Sequence, residues 1–75
     1  MEKIGALIRC HRKKSGLTQR QLADLAGVGK TVVFDIEHGK ETVQFSSLQN
    51  VCQVLNISIQ LDSPIMEQCM EEIDA

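Results

Sequence analysis

The sequence predicts a small, mainly α domain of four helices followed by one β-strand, and three observations carry that expectation. Apolar residues make up 43% of the chain, yet Phe34 and Phe45 are its only aromatics. The core is therefore aliphatic, which suits helices better than a sandwich or barrel. Apolar positions recur at helical spacing along most of the chain and switch to strict alternation at residues 57–61. Two capping patterns, Thr18 with Gln21 and Ser46 with Gln49, mark helix starts. At 75 residues the chain makes one domain at most, near the lower size at which a single core holds unaided.

The first helix is expected from Lys3 to Ser15, with Ile4, Leu7, Ile8 and His11 at the i, i+3, i+4, i+7 positions and Gly16 as its stop. His11 reads as a half-buried core residue, because no second ligand stands at metal spacing. Arg9, Arg12, Lys13 and Lys14 crowd the last turn, where cations complement the helix dipole and can also meet phosphates.

The second helix spans Thr18 to Leu25. Thr18 caps it, Gln21 reaches back to the Thr18 amide, and Leu17 and Leu22 occupy the positions of a hydrophobic staple. Leu22, Ala23 and Ala26 form its inner face, while Gln19 and Arg20 point outward near its start. A tight turn around Gly27 leads to a third helix opening at Gly29, a cap that offers no side-chain bond. At about 100° per residue, Val33, Ile36 and Glu37 share its inner side with Gly29. Thr31, Phe34, Asp35 and His38 lie opposite, with Lys30 and Val32 on the flanks.

A loop over residues 39–43 carries Lys40, and a fourth helix follows from Ser46 to Leu55 with the stripe Leu48, Val51, Cys52 and Leu55. Asn56 is its expected left-handed stop. The alternation Ile57-Ser58-Ile59-Gln60-Leu61 reads as a strand. A single strand cannot satisfy its edges, so the economical partner is the same strand of a second copy, paired through Ile57, Ile59 and Leu61 across a two-fold axis. The resulting division is a domain over residues 1–62 and an acidic tail over 63–75. Ser63-Pro64 is a helix start for that tail. Ile65, Met66, Cys69, Met70 and Ile73 would then oppose Glu67, Glu71, Glu72 and Asp74. A frayed tail is the alternative.

The net charge of −2 conceals a segregation. Residues 1–40 hold all eight Lys and Arg against four carboxylates, for +4, whereas residues 41–75 hold six carboxylates and no cation, for −6. A module that docks phosphates on one side needs such an arrangement. Cys10, Cys52 and Cys69 are odd in number and lack a CxxC pair, against both a disulfide framework and a zinc site. Reduced thiols in a soluble cytoplasmic protein follow, with Cys10 and Cys52 as small apolar packers. No cofactor loop, metal spacing or nucleophile–base pair points to an enzyme.

The stretch from Leu17 to Gly39, LTQRQLADLAGVGKTVVFDIEHG, resembles the helix-turn-helix of the Cro/cI-type (XRE) family. The resemblance implies a lambda-repressor-like domain whose third helix enters the DNA major groove. Arg12 and Glu37 match the family's ion pair between its first helix and recognition helix. Gln19 matches a glutamine that contacts phosphate or braces a base-reading side chain. Lys30, Thr31, Val32, Phe34 and Asp35 stand where bases are read, with Arg20 and Lys40 placed for phosphate. Asp35 must accept from a base, pair with a neighbour such as Lys30 or His38, or point elsewhere. The order of four helices and a pairing strand is similar to a subset of the family, the HipB-like antitoxins. That implies a homodimeric repressor on a palindromic operator, partnered by a HipA-type toxin kinase and requiring no cofactor. Phe34, Asp35 and the negative net charge support one alternative, a protein-interaction adaptor of the same fold; a phage-type repressor not linked to a toxin is another.

Overall fold

Five helices follow one another along residues 1–74, the part of the chain that the computed structural model describes: α1 (Glu2–Lys14), α2 (Gln19–Ala26), α3 (Lys30–Glu37), α4 (Phe45–Val54) and α5 (Met66–Asp74). The first four pack through α1–α3, α2–α3, α2–α4 and α3–α4 contacts. They enclose an aliphatic core of Ile8, Leu22, Ala23, Ala26, Val33, Ile36, Leu48, Val51, Cys52 and Leu55. None of the described residues forms a β-strand, and no described helix is long and apolar enough to cross a membrane.

The α1 inner face departs from its apolar periodicity. Gly5, Ile8 and Arg12 are its buried residues, whereas Ile4 and Leu7 remain 43% and 49% exposed. The reason lies at Gly5. A Cβ there would collide with the Ile36 carbonyl oxygen and lie 2.8 Å from that of Glu37. The missing side chain lets α1 cross the end of α3 backbone to backbone, which turns Ile4 and Leu7 outward. His11 is half-buried, with Nδ1 2.8 Å from the Leu7 carbonyl. Cys10, expected as a packer, is exposed.

Each of α1–α4 closes with the same paired bonds around a left-handed residue, namely Gly16, Gly27, Gly39 or Asn56. At α2, the Val28 amide donates to Ala23 and the Gly27 amide to Asp24 (3.0 and 3.3 Å). This Schellman arrangement satisfies carbonyls that the helix end would otherwise leave open. Gly27 has φ +70°, a conformation that a side chain would strain, so glycine suits the turn into α3.

Two expectations further along are corrected. The Ser46–Gln49 capping box does not form. The α4 helix begins at Phe45 behind Gln44, which makes no side-chain cap bond, and Ser46 already lies within the first turn. Residues 57–61 form no strand in the single chain. The Ile57 amide donates to the Cys52 carbonyl (2.8 Å) as part of the α4 terminus, and Ile57 rests against the core. Beyond it Ile59 and Leu61 are exposed, with no second strand alongside to complete a ladder. The α5 helix begins two residues after Pro64 and stands outside the packed helix pairs, with Ile65, Met70 and Ile73 exposed.

Candidate nucleic-acid interface

The α2 and α3 helices form a two-helix unit whose geometry is set from three places. The start of α2 is closed by a full capping box. Thr18 Oγ1 accepts from the Gln21 amide at 3.0 Å, and Gln21 Oε1 accepts from the Thr18 amide at 2.9 Å. The turn is closed at Gly27. The far end of α3 is held by Glu37, whose side chain has no exposed surface.

Three side chains converge on that carboxylate. Arg12 donates through Nε to Oε2 at 2.6 Å and through Nη2 to Oε1 at 3.0 Å, a bidentate pair. Gln19 Nε2 donates to Oε1 at 3.3 Å, and Arg9 Nε approaches the same oxygen to 4.0 Å. The third arm of Arg12 is also used, since Nη1 donates to the Leu17 carbonyl at 2.9 Å. Hydrogen bonding to Glu37 raises the Arg12 pKa from its ordinary value, against the opposing effect of burial. One carboxylate thus ties α1, the start of α2 and the end of α3 together. None of the buried side-chain polar atoms described lacks a partner.

This frame decides which side chains face outward. Lys30, Thr31, Phe34 and His38 are exposed along α3, as Arg20 is on α2. Gln19 is half-buried, its amide turned inward to Glu37. Val32 packs on the edge of the core and lines a shallow pocket with Asp35, Lys40, Val43 and Ser47. Asp35 faces neither Lys30 nor His38. Its Oδ2 lies 3.4 Å from Lys40 Nζ, across the chain reversal at Gly39. Helical spacing from Asp35 does not reveal that pair, because Lys40 lies beyond the helix. His38 stacks on Phe34, with ring centroids 3.9 Å apart and planes 23° from parallel. Its Nδ1 is 2.7 Å from the Phe34 carbonyl, an acceptor that requires the proton on Nδ1 and leaves Nε2 available. Of the remaining cations, Arg9, Lys13 and Lys14 line an open groove along α1 with Ala6, Cys10 and Glu37. Among the described residues, no group of three His, Cys, Asp or Glu is placed to hold a metal.

A capped helix, a tight left-handed turn and a second helix with an outward polar face define a helix-turn-helix. Comparison with known proteins agrees: the helix-turn-helix family model matches residues 8–61. The chain belongs to the XRE-type helix-turn-helix family of DNA-binding transcriptional regulators. It is 44% identical over 61 residues to an uncharacterized HTH-type transcriptional regulator, y4mF, of Sinorhizobium fredii, covering 81% of this chain and 80% of the relative. It is 30% identical over 71 residues to the ImmF control region 10 kDa protein of Bacillus phage phi105, covering 95% and 79%. HipB in a HipA-HipB-O2-O3 complex superimposes with a TM-score of 0.75 at 19% identity, covering 84% of this chain and 89% of the matched chain. That likeness is one of fold.

Proposed function

We propose that this protein is a cytoplasmic, homodimeric, sequence-specific DNA-binding repressor, acting as antitoxin and autorepressor in an operon with a HipA-like kinase toxin. The observation that carries the DNA-binding reading is the Glu37 junction. It holds α3 so that Lys30 and Thr31 project from the helix start, where a recognition helix meets base edges. Lys30 supplies a donor for guanine or phosphate, Thr31 a hydroxyl, and Phe34 an apolar edge for a thymine methyl. Val32 and Asp35, with Lys40, border the same surface. Arg9, Lys13, Lys14 and Arg20 are further candidates for phosphate.

Two copies on a palindromic operator would place their recognition helices about 34 Å apart, with segment 57–61 of each copy pairing across the two-fold axis. Exposed Ile59 and Leu61 support that pairing, while Ile57 is partly committed to its own core. The toxin partnership is supported by fold likeness to HipB in its complexes. The matched phage relative favours a second reading, a phage-type repressor without a toxin. The exposed Phe34–His38 stack favours a third, a protein-interaction adaptor.

A gel shift against the region upstream of the protein's own gene tests the main reading. Binding is expected with a steep salt dependence, and Lys30→Ala should lower the log–log slope by about one if Lys30 meets a phosphate. Thr31→Ala should weaken the operator more than unrelated DNA. A folded dimer that fails to bind at low salt would refute the proposal, and capture of protein partners alone would favour the adaptor.

A further inference from the structure

The α5 helix is amphipathic and stands outside the helix pairs that pack in its own chain. Met66, Cys69, Met70 and Ile73 follow the spacing of one helical face, and Ile65 adjoins them. Glu67 and Glu72 border the stripe, with Glu71 behind. Nine residues are fewer than an isolated helix needs to be stable in water. Its last turn is also acidic, where the dipole favours cations. Both features call for a partner with apolar surface and positive charge.

The outward face of α1 has that chemistry. Exposed Ala6, Leu7 and Cys10 form a short apolar strip, with Lys3, Arg9, Lys13 and Lys14 around it. Beside the strip runs an open groove of about 500 Å³ lined by Ala6, Arg9, Cys10, Lys13 and Lys14, with the already paired Glu37 at its wall. An α5 of nine residues is about 13 Å long and fits along α1, whose thirteen residues span about 20 Å.

We infer that α5 of one copy docks along the outer face of α1 of a second copy, its apolar stripe on Ala6, Leu7 and Cys10 and its carboxylates toward Lys13 and Lys14. Opposite charges on matching apolar strips select another copy of this chain, and a two-fold axis produces the contact twice. The contact adds to the pairing of residues 57–61 and does not depend on DNA binding. It also engages two lysines otherwise open to phosphate.

Native thiols provide the test, since Cys10 and Cys69 are exposed on the two docking faces and Cys52 is buried. A Cys10→Ser chain mixed with a Cys69→Ser chain is treated with a short bismaleimide, after equilibration to allow exchange. A covalent dimer linking Cys69 of the first to Cys10 of the second, mapped by peptide mass, is expected. Each homogeneous variant alone should give at least tenfold less. Lys13→Glu/Lys14→Glu in one chain should remove most of the product, and Glu67→Lys/Glu72→Lys in the other should restore it. Absence of the mixed product, a Cys10–Cys69 link within one wild-type chain, or failure of the charge exchange to restore linkage would overturn the inference. Sedimentation mass and the gel shift report separately on the dimer and the operator. A dimer that binds DNA without this link refutes only the α5 contact.

Discussion

Replacing Arg12 by Met should destabilise the fold more than any single surface change, because it strands the Glu37 carboxylate. The substitution removes two charge-assisted bonds to Glu37 and one to the Leu17 carbonyl. What remains at a fully covered carboxylate is the Gln19 amide at 3.3 Å and the Arg9 guanidinium at 4.0 Å. Removing one partner of a buried pair costs about 3–5 kcal/mol. A domain of this size holds about 4–11 kcal/mol in total, so most of the margin goes. At about 4–8 °C per kcal/mol, the midpoint should fall by about 12 °C or more. The chain has no Trp or Tyr, so urea and thermal unfolding are followed by circular dichroism at 222 nm. The double variant Arg12→Met/Glu37→Met, which leaves neither charge buried, should be more stable than Arg12→Met alone. The raised Arg12 pKa means that its contribution is complete wherever the unfolded guanidinium is still charged, so alkaline solutions up to pH about 10 should not release the pair. A loss below about 1 kcal/mol, as for a surface pair, would refute the reasoning. So would singles whose losses simply add in the double.

Further outcomes follow from other contacts. Gly5→Ala should lower stability by about 1–3 kcal/mol through overpacking against the α3 carbonyls, despite the better helix propensity of alanine; an unchanged or raised melting midpoint would contradict that crossing. Thr18→Ala should cost about 1 kcal/mol by opening the α2 capping box, measured by urea unfolding. At a dilution that keeps the copies apart, alkylation followed by mass spectrometry should label Cys10 and Cys69 rapidly and Cys52 slowly. Burial raises the Cys52 thiol pKa above its ordinary 9.0, so the unfolded chain loses this proton first. Stability should therefore decline as pH rises beyond about 9, and Cys52→Ala should flatten that limb.

The parts of the fold legible in the sequence are those whose signals are local. The Thr18 box and the Leu22–Ala23–Ala26 face lie within one short helix, and the left-handed Asn56 ends another. Apolar periodicity misplaced the α1 face because a buried glycine and a buried arginine add nothing to an apolar count. The Ser46–Gln49 pattern matches a cap in spelling, yet α4 starts at Phe45, ahead of that serine. Alternation at 57–61 describes a backbone that needs a second chain, and one chain alone leaves it unpaired. On α3, Asp35 is half-buried although helical spacing places it outward, while the exposure of Thr31, Phe34 and His38 followed from helix geometry. The Asp35–Lys40 pair did not, because the chain reverses at Gly39 between them.

The two ends of α3 are held by different means, side-chain bonds at one and a closed turn with core packing at the other. Its C-terminal end is pinned at Glu37 by bonds from two other helices, whereas its N-terminal end, without a side-chain cap at Gly29, is fixed by the Gly27 turn and by Val28 and Val33 against the core. Lys30 stands about 11 Å from that pivot, so a tilt of about 5° carries it through about 1 Å. That displacement separates a sound hydrogen bond from a broken one. Repacking at Glu37 can therefore re-aim the end of the helix proposed to meet DNA only where the Gly27 turn and the Val33 packing give way with it.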